Sequence, residues 1–426
     1  MIAALPRRLV LALSVFCATQ CSAQEIKPAL SVPFNKGEEA AFTREQALRY
    51  ALTHSPVLSA AQERINAAQG SLQSARALPP MDVAIGPFFG GDAGVVPFAT
   101  QRLEINGRRS ARTGVARRDL TATQRDADST HLDVIRDVNR AYYDLAQSQQ
   151  VLLLTTEIVG IALRIQVSVK LQVGKGQLPE VDLIKAETEL ARTEGDVARA
   201  QADVTIRGIL LSSIMGRDTN SSLTASDPIT FAPITSDQAT LLTLALQQRS
   251  EVAAGMARVL SAKENIRLQR TDLRPDVSVS VLQNTSVHSP DFLTPRSSGV
   301  GVSLIFPFGD TGQIRGRVRQ MEAQAREQEK ILDQVRLAVK RDVASAYTLV
   351  KMTEYLVKHY EEEILPKALV VLQKVQSGYE RGGTTILEYL EAQRTYRNTR
   401  SEYLISLGDN ARARTELDRA VGATVK

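Results

Sequence analysis

The stretch RDVNRAYY at residues 136–143 recurs further along the chain as RDVASAYT at residues 341–348. The two copies share five identities at one spacing, which chance rarely produces. A recurrence of this kind is the signature of an internal repeat, and a repeat decides the fold before any single element does. We therefore predict that the chain is a tandem duplication.

The flanking residues follow the same order in both copies. Matching pairs, first half before second half, are Ala51-Leu52 with Ala245-Leu246, Leu78-Pro79-Pro80 with Leu273-Arg274-Pro275, Lys175-Gly176 with Arg381-Gly382, and the closing glycines Gly216 with Gly422. They predict repeats at residues 42–216 and 237–422, with a linker at 217–236. An N-terminal segment, 24–41, and a tail, 423–426, remain outside the repeats.

The first 23 residues are typical of a secretory signal. Arg7 and Arg8 precede an apolar run and then small residues, so we expect cleavage after Ala23. The apolar run is about half of the ~20 residues that a membrane helix needs, and we expect no later stretch to span a bilayer as a helix. Both cysteines, Cys17 and Cys21, lie in this segment, which leaves no disulfide in the mature chain. The alternative is that Cys21 becomes a lipidated N-terminus, although residues 18–20 make a poor lipobox.

Composition and charge exclude some classes of protein. The formal charge of +5 falls to +3 once the two arginines of the signal leave, and both signs are interspersed along the 426 residues, so nucleic-acid binding has no support. The chain has no tryptophan and few aromatic residues, and it is rich in Ala, Leu, Gln, Glu and Arg. This composition favours long helices over a compact core.

Hydrophobic periodicity predicts the same elements in each repeat: a helix, a strand pair, a long helix, a glycine turn and another helix. The first repeat is predicted as helix 42–78, strands within 81–105 around a turn at 90–94, helix 108–173, turn 174–176 and helix 179–215. The second is helix 237–273, strands near 276–286 and 298–307, helix 313–378, turn 382–383 and helix 384–421. A narrow apolar stripe, typical of helices packed side by side, is formed by Leu332, Val335, Val339, Val343, Ala346 and Val350.

The strand runs alternate between apolar and polar residues. Val277, Val279 and Val281 alternate with polar residues, Leu103 and Ile105 alternate with Arg102 and Glu104, and Val300, Val302, Leu304 and Phe306 share one face. Such alternation fits a membrane β-barrel or an ordinary half-buried sheet. Helix length favours the barrel, because 66 residues extend about 100 Å, far beyond a globular domain. Four strands cannot close a barrel, so three copies would supply twelve.

These residues resemble the TolC-like outer-membrane efflux family over nearly the whole mature chain. The resemblance rests on the duplication, on Ser55-Pro56-Val57-Leu58 after Ala51-Leu52, and on the closing stretch from Gly382 to Gln393. A finer match, to the CzcC-like heavy-metal branch, lies in Gln101, Gly107-Arg108-Arg109-Ser110-Ala111-Arg112, Gly176 and Pro179. That branch usually shows a glycine pair where this chain has Asn106-Gly107.

The resemblance implies a fold and partners. The fold is mainly α with a membrane β-barrel: four strands per protomer would close a 12-stranded homotrimeric barrel in outer-membrane lipid, continued by a long α-helical periplasmic tunnel. The implied partners are a periplasmic adaptor and an inner-membrane proton-driven pump of the resistance-nodulation-division type. The implied cargo is heavy-metal cations, with multidrug or organic-solute efflux as the alternative.

The resemblance also implies a periplasmic gate at the turns far from the membrane. Its residues would be Tyr379, Glu388, Glu391 and Asp182. Glu388 and Glu391 are i, i+3 neighbours, so a trimer would stack two rings of carboxylates that attract cations. The basic partner of Asp182 in relatives falls here on Thr384, and Arg381 or Lys175 would have to replace it. The alternative is that both glutamates face solvent.

The sequence shows no sign of an enzyme, cofactor or metal site. The histidines His54, His131, His288 and His359 are scattered, with no i, i+4 pair. No P-loop, GxSxG elbow or dinucleotide fingerprint is present. Two rival classes remain: a periplasmic adaptor, which would carry one hairpin inside β-rich domains, and a soluble coiled-coil scaffold, which leaves the alternating strands unexplained.

A bend is predicted in each long helix. Pro366 lacks a backbone N–H and its ring collides with the preceding turn. Gly160 falls at nearly the equivalent place in the first half, although close helix packing would explain it equally well. We expect the linker 217–236 and the C-terminus to wrap the tunnel at this level.

Overall fold

The computed structural model describes residues 40–88, 94–219, 223–286, 295–306 and 312–425. The predicted signal with Cys17 and Cys21, most of the turn at 90–94, and His288 lie outside the described residues. The N-terminal segment is described from Ala40 onward.

The elements follow one order twice. The first half contains β1 (Ala40–Phe42), α1 (Arg44–His54), α2 (Pro56–Arg76), β2 (Asp82–Phe88), β3 (Gly94–Leu103), α3 (Arg108–Gly174) and α4 (Glu180–Met215). The linker carries β4 (Leu223–Ala225), which pairs with β1 in parallel. The second half contains α5 (Gln238–Gln248), α6 (Ser250–Thr271), β5 (Asp276–Ser286), β6 (Pro295–Ile305), α7 (Gln313–His359), a π-helical turn (Tyr360–Ile364), α8 (Leu365–Glu380) and α9 (Ile386–Val421). The predicted strand pairs and long helices are present.

The single helices predicted at 42–78 and 237–273 are each two helices. In the first half the break falls at Ser55, whose backbone is extended because Pro56 follows it. In the second half Arg249 is extended at the equivalent place without a proline. Its buried guanidinium donates hydrogen bonds to the carbonyl oxygens of Arg419 (2.9 Å) and Ala420 (3.0 Å) at the end of α9. The second break is therefore accompanied by a tertiary contact, which periodicity does not reveal.

The two long helical runs differ in continuity. Before Pro366 the α-helical pattern changes to a π-helical turn, in which the Leu365 N–H bonds the Tyr360 carbonyl. Because Pro366 donates no hydrogen bond, a shift of register near this point is the expected consequence. The first half shows no such change: α3 continues through Gly160 for 67 residues, about 100 Å. The bend predicted at Pro366 thus coincides with a change in the helical pattern, whereas the pattern is continuous at Gly160, and the bends themselves stay predictions.

The four long strands form one antiparallel sheet in the order β2-β3-β5-β6. The register places Val277 opposite Leu304 and Val279 opposite Val302, so these valines and leucines share one face. The other face pairs Arg102 with Ser278, and Ser278 is buried. The apolar face is open: Ile85, Val300 and Val302 are each more than 70% exposed. The predicted alternation of apolar and polar faces is confirmed.

Each repeat has its own apolar core where its helices pack. The predicted stripe of α7 is buried against α5, α6 and α9, with Val335 partly buried. In the first half Tyr142 and Leu145 of α3 pack with residues of α1 and α4. The linker lies across these helices: the Ile234 N–H bonds Glu354 Oε1 at 2.6 Å, and Ile229 packs beside Val357, shortly before the π-helical turn.

One stretch of α3 is more apolar than we predicted. Helix α3 contains an 18-residue window that is long and apolar enough to cross a membrane, with a mean hydropathy of 1.6. Only 17% of this window is buried. The expectation that no later stretch would qualify was therefore wrong. In the structure this helix runs beside α4, α6 and α9. Apolar side chains such as Leu153 and Leu163 remain exposed in the single chain.

Candidate gate at the helical turns

The glycine turns between the last two helices of each repeat lie together. Gly176 between α3 and α4, and Gly382 between α8 and α9, both adopt the left-handed conformation that reverses the chain (φ +71° and +74°). One apolar cluster joins all four helices at this end. Its buried members are Ile165, Val169, Ala186, Ile386, Tyr389 and Leu390. The sequence-predicted gate residues all belong to this region.

Tyr379 is partly buried in this region. Its ring stacks on that of Tyr389, with centroids 5.4 Å apart and planes 15° from parallel. Its hydroxyl is buried and has no hydrogen-bond partner among the described residues. Burial, and then the negative charge of Asp182, raise the pKa of Tyr379. The hydroxyl therefore stays a neutral donor that lacks an acceptor in the single chain.

Asp182 has a basic partner that we did not predict. Its carboxylate accepts a hydrogen bond from Lys185 Nζ at 3.0 Å, one turn along α4. The suggested replacements do not reach it: Arg381 Nε donates to the Ser377 carbonyl, and Lys175 is exposed. The Thr384 hydroxyl donates to the Val375 carbonyl at 3.1 Å. Within the single chain the basic partner of Asp182 is Lys185, and a link from Asp182 to Arg381 or Lys175 in an assembled gate stays a prediction.

The two glutamates of the predicted acidic rings are both exposed. Glu388 is the third residue of α9, and its carboxylate accepts a hydrogen bond from the Thr385 N–H at 2.9 Å, which makes a capping box. Glu391 lies 3.9 Å from Arg394 and its side chain is 69% exposed. Glu388 thus caps the start of α9 in addition to its predicted role in a ring of carboxylates. Glu391 makes a longer contact and its side chain is largely exposed.

A buried ion cluster nearby was missed from the sequence. Glu189 of α4 is almost fully buried and accepts hydrogen bonds from Arg394 of α9. Arg397 lies 3.8 Å from Glu189 and 3.7 Å from Asp196. The hydrogen bond that Arg394 donates to Glu189 is the main cause that raises the pKa of Arg394. We call Glu189, Asp196, Arg394 and Arg397 the interrepeat cluster. The sequence shows only that the two acidic residues share one face of α4 and that the two arginines share one face of α9. That spacing does not reveal that the two faces meet.

No metal site is evident in the part of the chain that the structure describes. No group of three or more His, Cys, Asp or Glu side chains there is arranged to hold an ion. His54 stacks on Tyr50, and His359 stacks on Tyr355.

Residues 89–217 and 241–423 match the family described as outer membrane efflux protein. The first matched segment begins just after β2 and the second begins within α5, and together they cover well over half of the chain. The chain belongs to the outer membrane efflux protein family. Its location is the outer membrane, and proteins of this family are channels and transport proteins, not enzymes.

Relatives and solved structures agree with this assignment. The cobalt-zinc-cadmium resistance protein CzcC of Cupriavidus metallidurans is 24% identical over 384 residues, 89% of this chain and 90% of that protein. The pyoverdine export outer membrane protein OpmQ of Pseudomonas aeruginosa is 23% identical over 376 residues, 82% and 78% of the two chains. Among solved structures, CusC superposes with a TM-score of 0.76 at 17% identity, over 93% of this chain and 98% of that one. The efflux channel fold is thereby shown.

Proposed function

We propose that the protein is the passive exit duct of a tripartite efflux system, and that it works as a homotrimer. The observation that carries this proposal is the sheet β2-β3-β5-β6. Its apolar face is exposed, and its outer strands, β2 and β6, each have only one neighbour among the described residues. In lipid an unpaired strand edge is too costly to persist, because no water satisfies its N–H and C=O groups.

Closure by copies of the same chain resolves both edges at once. If β6 of one protomer pairs with β2 of the next, three protomers supply twelve strands and leave no edge. A barrel of that size has a lumen wide enough for water. The exposed valines and Ile85 then face lipid, and the face with Arg102, Ser278 and Ser303 lines the lumen.

The helices support the same arrangement. Leu153 of α3, Leu337 of α7 and Tyr355 of α7 are each more than 60% exposed in the single chain. Large apolar side chains in such number mark surfaces that neighbours cover. Four helical columns per chain, two of them end-to-end pairs of shorter helices, would then build a continuous tunnel with those of the neighbouring protomers.

An exit duct of this kind needs partners that bring solute and energy. We propose a periplasmic adaptor and an inner-membrane proton-driven pump of the resistance-nodulation-division type. For the cargo we propose heavy-metal cations. The similarity to CzcC, a protein named for cobalt, zinc and cadmium resistance, supports a metal, and so do the exposed carboxylates of Glu388 and Glu391. The similarity to OpmQ supports the alternative, an organic solute.

A deletion strain tests the duct and its cargo together. The strain, with the gene restored or with empty vector, is grown on zinc, cobalt, cadmium, nickel, copper and silver salts and on a set of dyes. We expect greater sensitivity to one or more of the metals, unchanged sensitivity to the dyes, and full rescue by the restored gene. Sensitivity to dyes alone would replace the metal by an organic solute. No change on any compound would contradict an efflux role in that host.

Detergent dependence separates the duct from the rival adaptor. An adaptor without its lipid stays monodisperse when detergent is removed. We expect this chain to aggregate, because the apolar face of its sheet has no cover in water.

A further inference from the structure

A groove lined by arginines lies between α2, α3 and α6, where these helices approach the sheet. It encloses about 480 Å³. Its charged lining is five arginines and one carboxylate: Arg76, Arg109, Arg117, Arg118, Arg267 and Glu264. We call it the basic groove. None of the residues of the predicted gate takes part in it.

The groove is fixed by specific contacts between its helices. Arg109 Nε donates to the Arg76 carbonyl at 2.7 Å, and the Thr113 hydroxyl donates to the Ala75 carbonyl at 3.1 Å. These bonds satisfy the last carbonyl groups of α2 and hold its end against α3. On the other side a Cβ atom at Gly114 would come within 3.0 Å of Glu264 Oε2. Glycine at this position therefore lets α6 approach α3 closely.

The positive charge of the groove is not balanced from within. Glu264 lies 3.6 Å from Arg267, so the one carboxylate already has a basic neighbour. Arg76, Arg117 and Arg118 are exposed, and within the described ranges no ion pair or hydrogen bond engages their guanidinium groups. Elsewhere along the same helices arginines are paired, as Arg270 is with Glu322 at 2.8 Å.

The groove lies close to the part of the sheet that meets lipid. Helix α3 begins at Arg108, shortly after β3 ends at Leu103, and α6 ends at Thr271, shortly before β5 begins at Asp276. Arg118 lies ten residues after Arg108, which corresponds to about 15 Å along the helix at 1.5 Å per residue. In the proposed barrel, where the apolar face of the strands lies in lipid, the groove would fall at the depth of the polar headgroups on the periplasmic side.

We propose that the basic groove binds a phosphate-bearing anion, the headgroup of an anionic phospholipid of the periplasmic leaflet. A guanidinium group binds phosphate oxygens through two parallel N–H bonds, and basic side chains beside a membrane attract anionic lipid. Free inorganic phosphate offers the same oxygens without the acyl chains. The site is additional to the proposed duct and does not depend on which solute passes.

The test uses the full chain, purified in a non-ionic detergent and titrated with short-chain phosphatidylglycerol, phosphatidylcholine or sodium phosphate. Bound ligand is counted by native mass spectrometry. The variant is Arg76→Gln with Arg117→Gln and Arg118→Gln. The charge-matched control is Lys170→Gln with Arg192→Gln and Lys374→Gln, three exposed cations far along the helices from the sheet. A triple Arg→Lys variant of the groove keeps its charge but not the paired N–H geometry.

We expect the unaltered protein and the control to prefer phosphatidylglycerol over phosphatidylcholine. The triple glutamine variant should bind phosphatidylglycerol at least about tenfold more weakly, because each basic residue near an anionic surface adds severalfold to the affinity. The unaltered protein could instead bind phosphate without preferring either lipid, and the variant could lose that binding. This result would support the anion site and assign it to free phosphate. Equal binding of both probes by variant and unaltered protein would overturn the proposal. If the triple variant fails to fold, the same binding measurements are made on the single variant Arg118→Gln. Weaker binding would support the site, and unchanged binding would overturn it.

Discussion

Glu189 of α4 accepts a hydrogen bond from Arg394 Nε of α9 at 3.2 Å, across two repeats of the chain. The pair is the centre of the interrepeat cluster, and it lies beside the turns of the predicted gate. The carboxylate is almost completely shielded from water, whereas the guanidinium is about one third exposed. A contact of this kind opposes any separation of α9 from α4, and we propose that opening of this end requires such a separation.

Glu189→Gln should loosen the gate. Removing the charge weakens the hydrogen bonds that Arg394 donates and leaves less negative charge beside Arg394 and Arg397, at a cost of about 1 to 3 kcal/mol. We expect a higher open probability of single channels in planar bilayers. The control is Glu45→Gln, whose carboxylate pairs with Arg49 on an exposed helix surface. If the correctly assembled Glu189→Gln variant shows an unchanged open probability, the interrepeat cluster does not control the gate.

Glu388→Gln combined with Glu391→Gln should weaken cation preference and block by multivalent cations. The glutamine at position 388 can still accept the Thr385 N–H of the capping box, so α9 should keep its start. The measurement is the reversal potential in a salt gradient, with the double variant Glu45→Gln and Glu63→Gln as the control. If selectivity and block stay the same, the glutamates simply face solvent.

Glu251 should make stability depend on pH. Burial alone raises its pKa, but the hydrogen bond from Arg419 and the charges of Arg249 and Arg419 outweigh burial and lower the pKa to about 2. The folded state therefore gains stability from the ionised carboxylate above its usual pKa of 4.5, and it loses that gain as the pH falls toward 2. The full effect is of the order of 3 kcal/mol.

The comparison of Glu251→Gln with the unaltered protein measures this effect. We expect the variant to have a lower Tm at pH 7 and a smaller deficit at pH 3. The exposed substitution Glu327→Gln should change neither value. A deficit that is equal at both pH values would mean that the ion pairs of Glu251 do not stabilise the fold.

Local patterns were enough to predict the repeat, the strand faces and the long helices. The stripe of α7 and the alternation around Val279 are properties of neighbouring positions, so a single sequence displays them. The change of helical pattern before Pro366 was likewise predictable, because the effect of the missing N–H is confined to the adjacent turn.

Contacts between distant residues were beyond such patterns. The break at Arg249 occurs where its guanidinium meets the end of α9, and Glu189 finds its arginine in the other repeat. At the candidate gate the sequence identified Tyr379, Glu388, Glu391 and Asp182 only through a family resemblance. It did not show that Lys185 pairs with Asp182, although the i, i+3 spacing was visible.

The number of chains in one detergent-solubilised particle tests the central claim most directly. Among the described residues the four strands leave two open edges, which closure by further copies would pair, so native mass spectrometry of the purified protein should give three chains per particle. A particle of three chains that also conducts ions in a planar bilayer agrees with the proposed duct. A stable single chain that conducts would contradict closure between protomers, and with it the trimeric barrel.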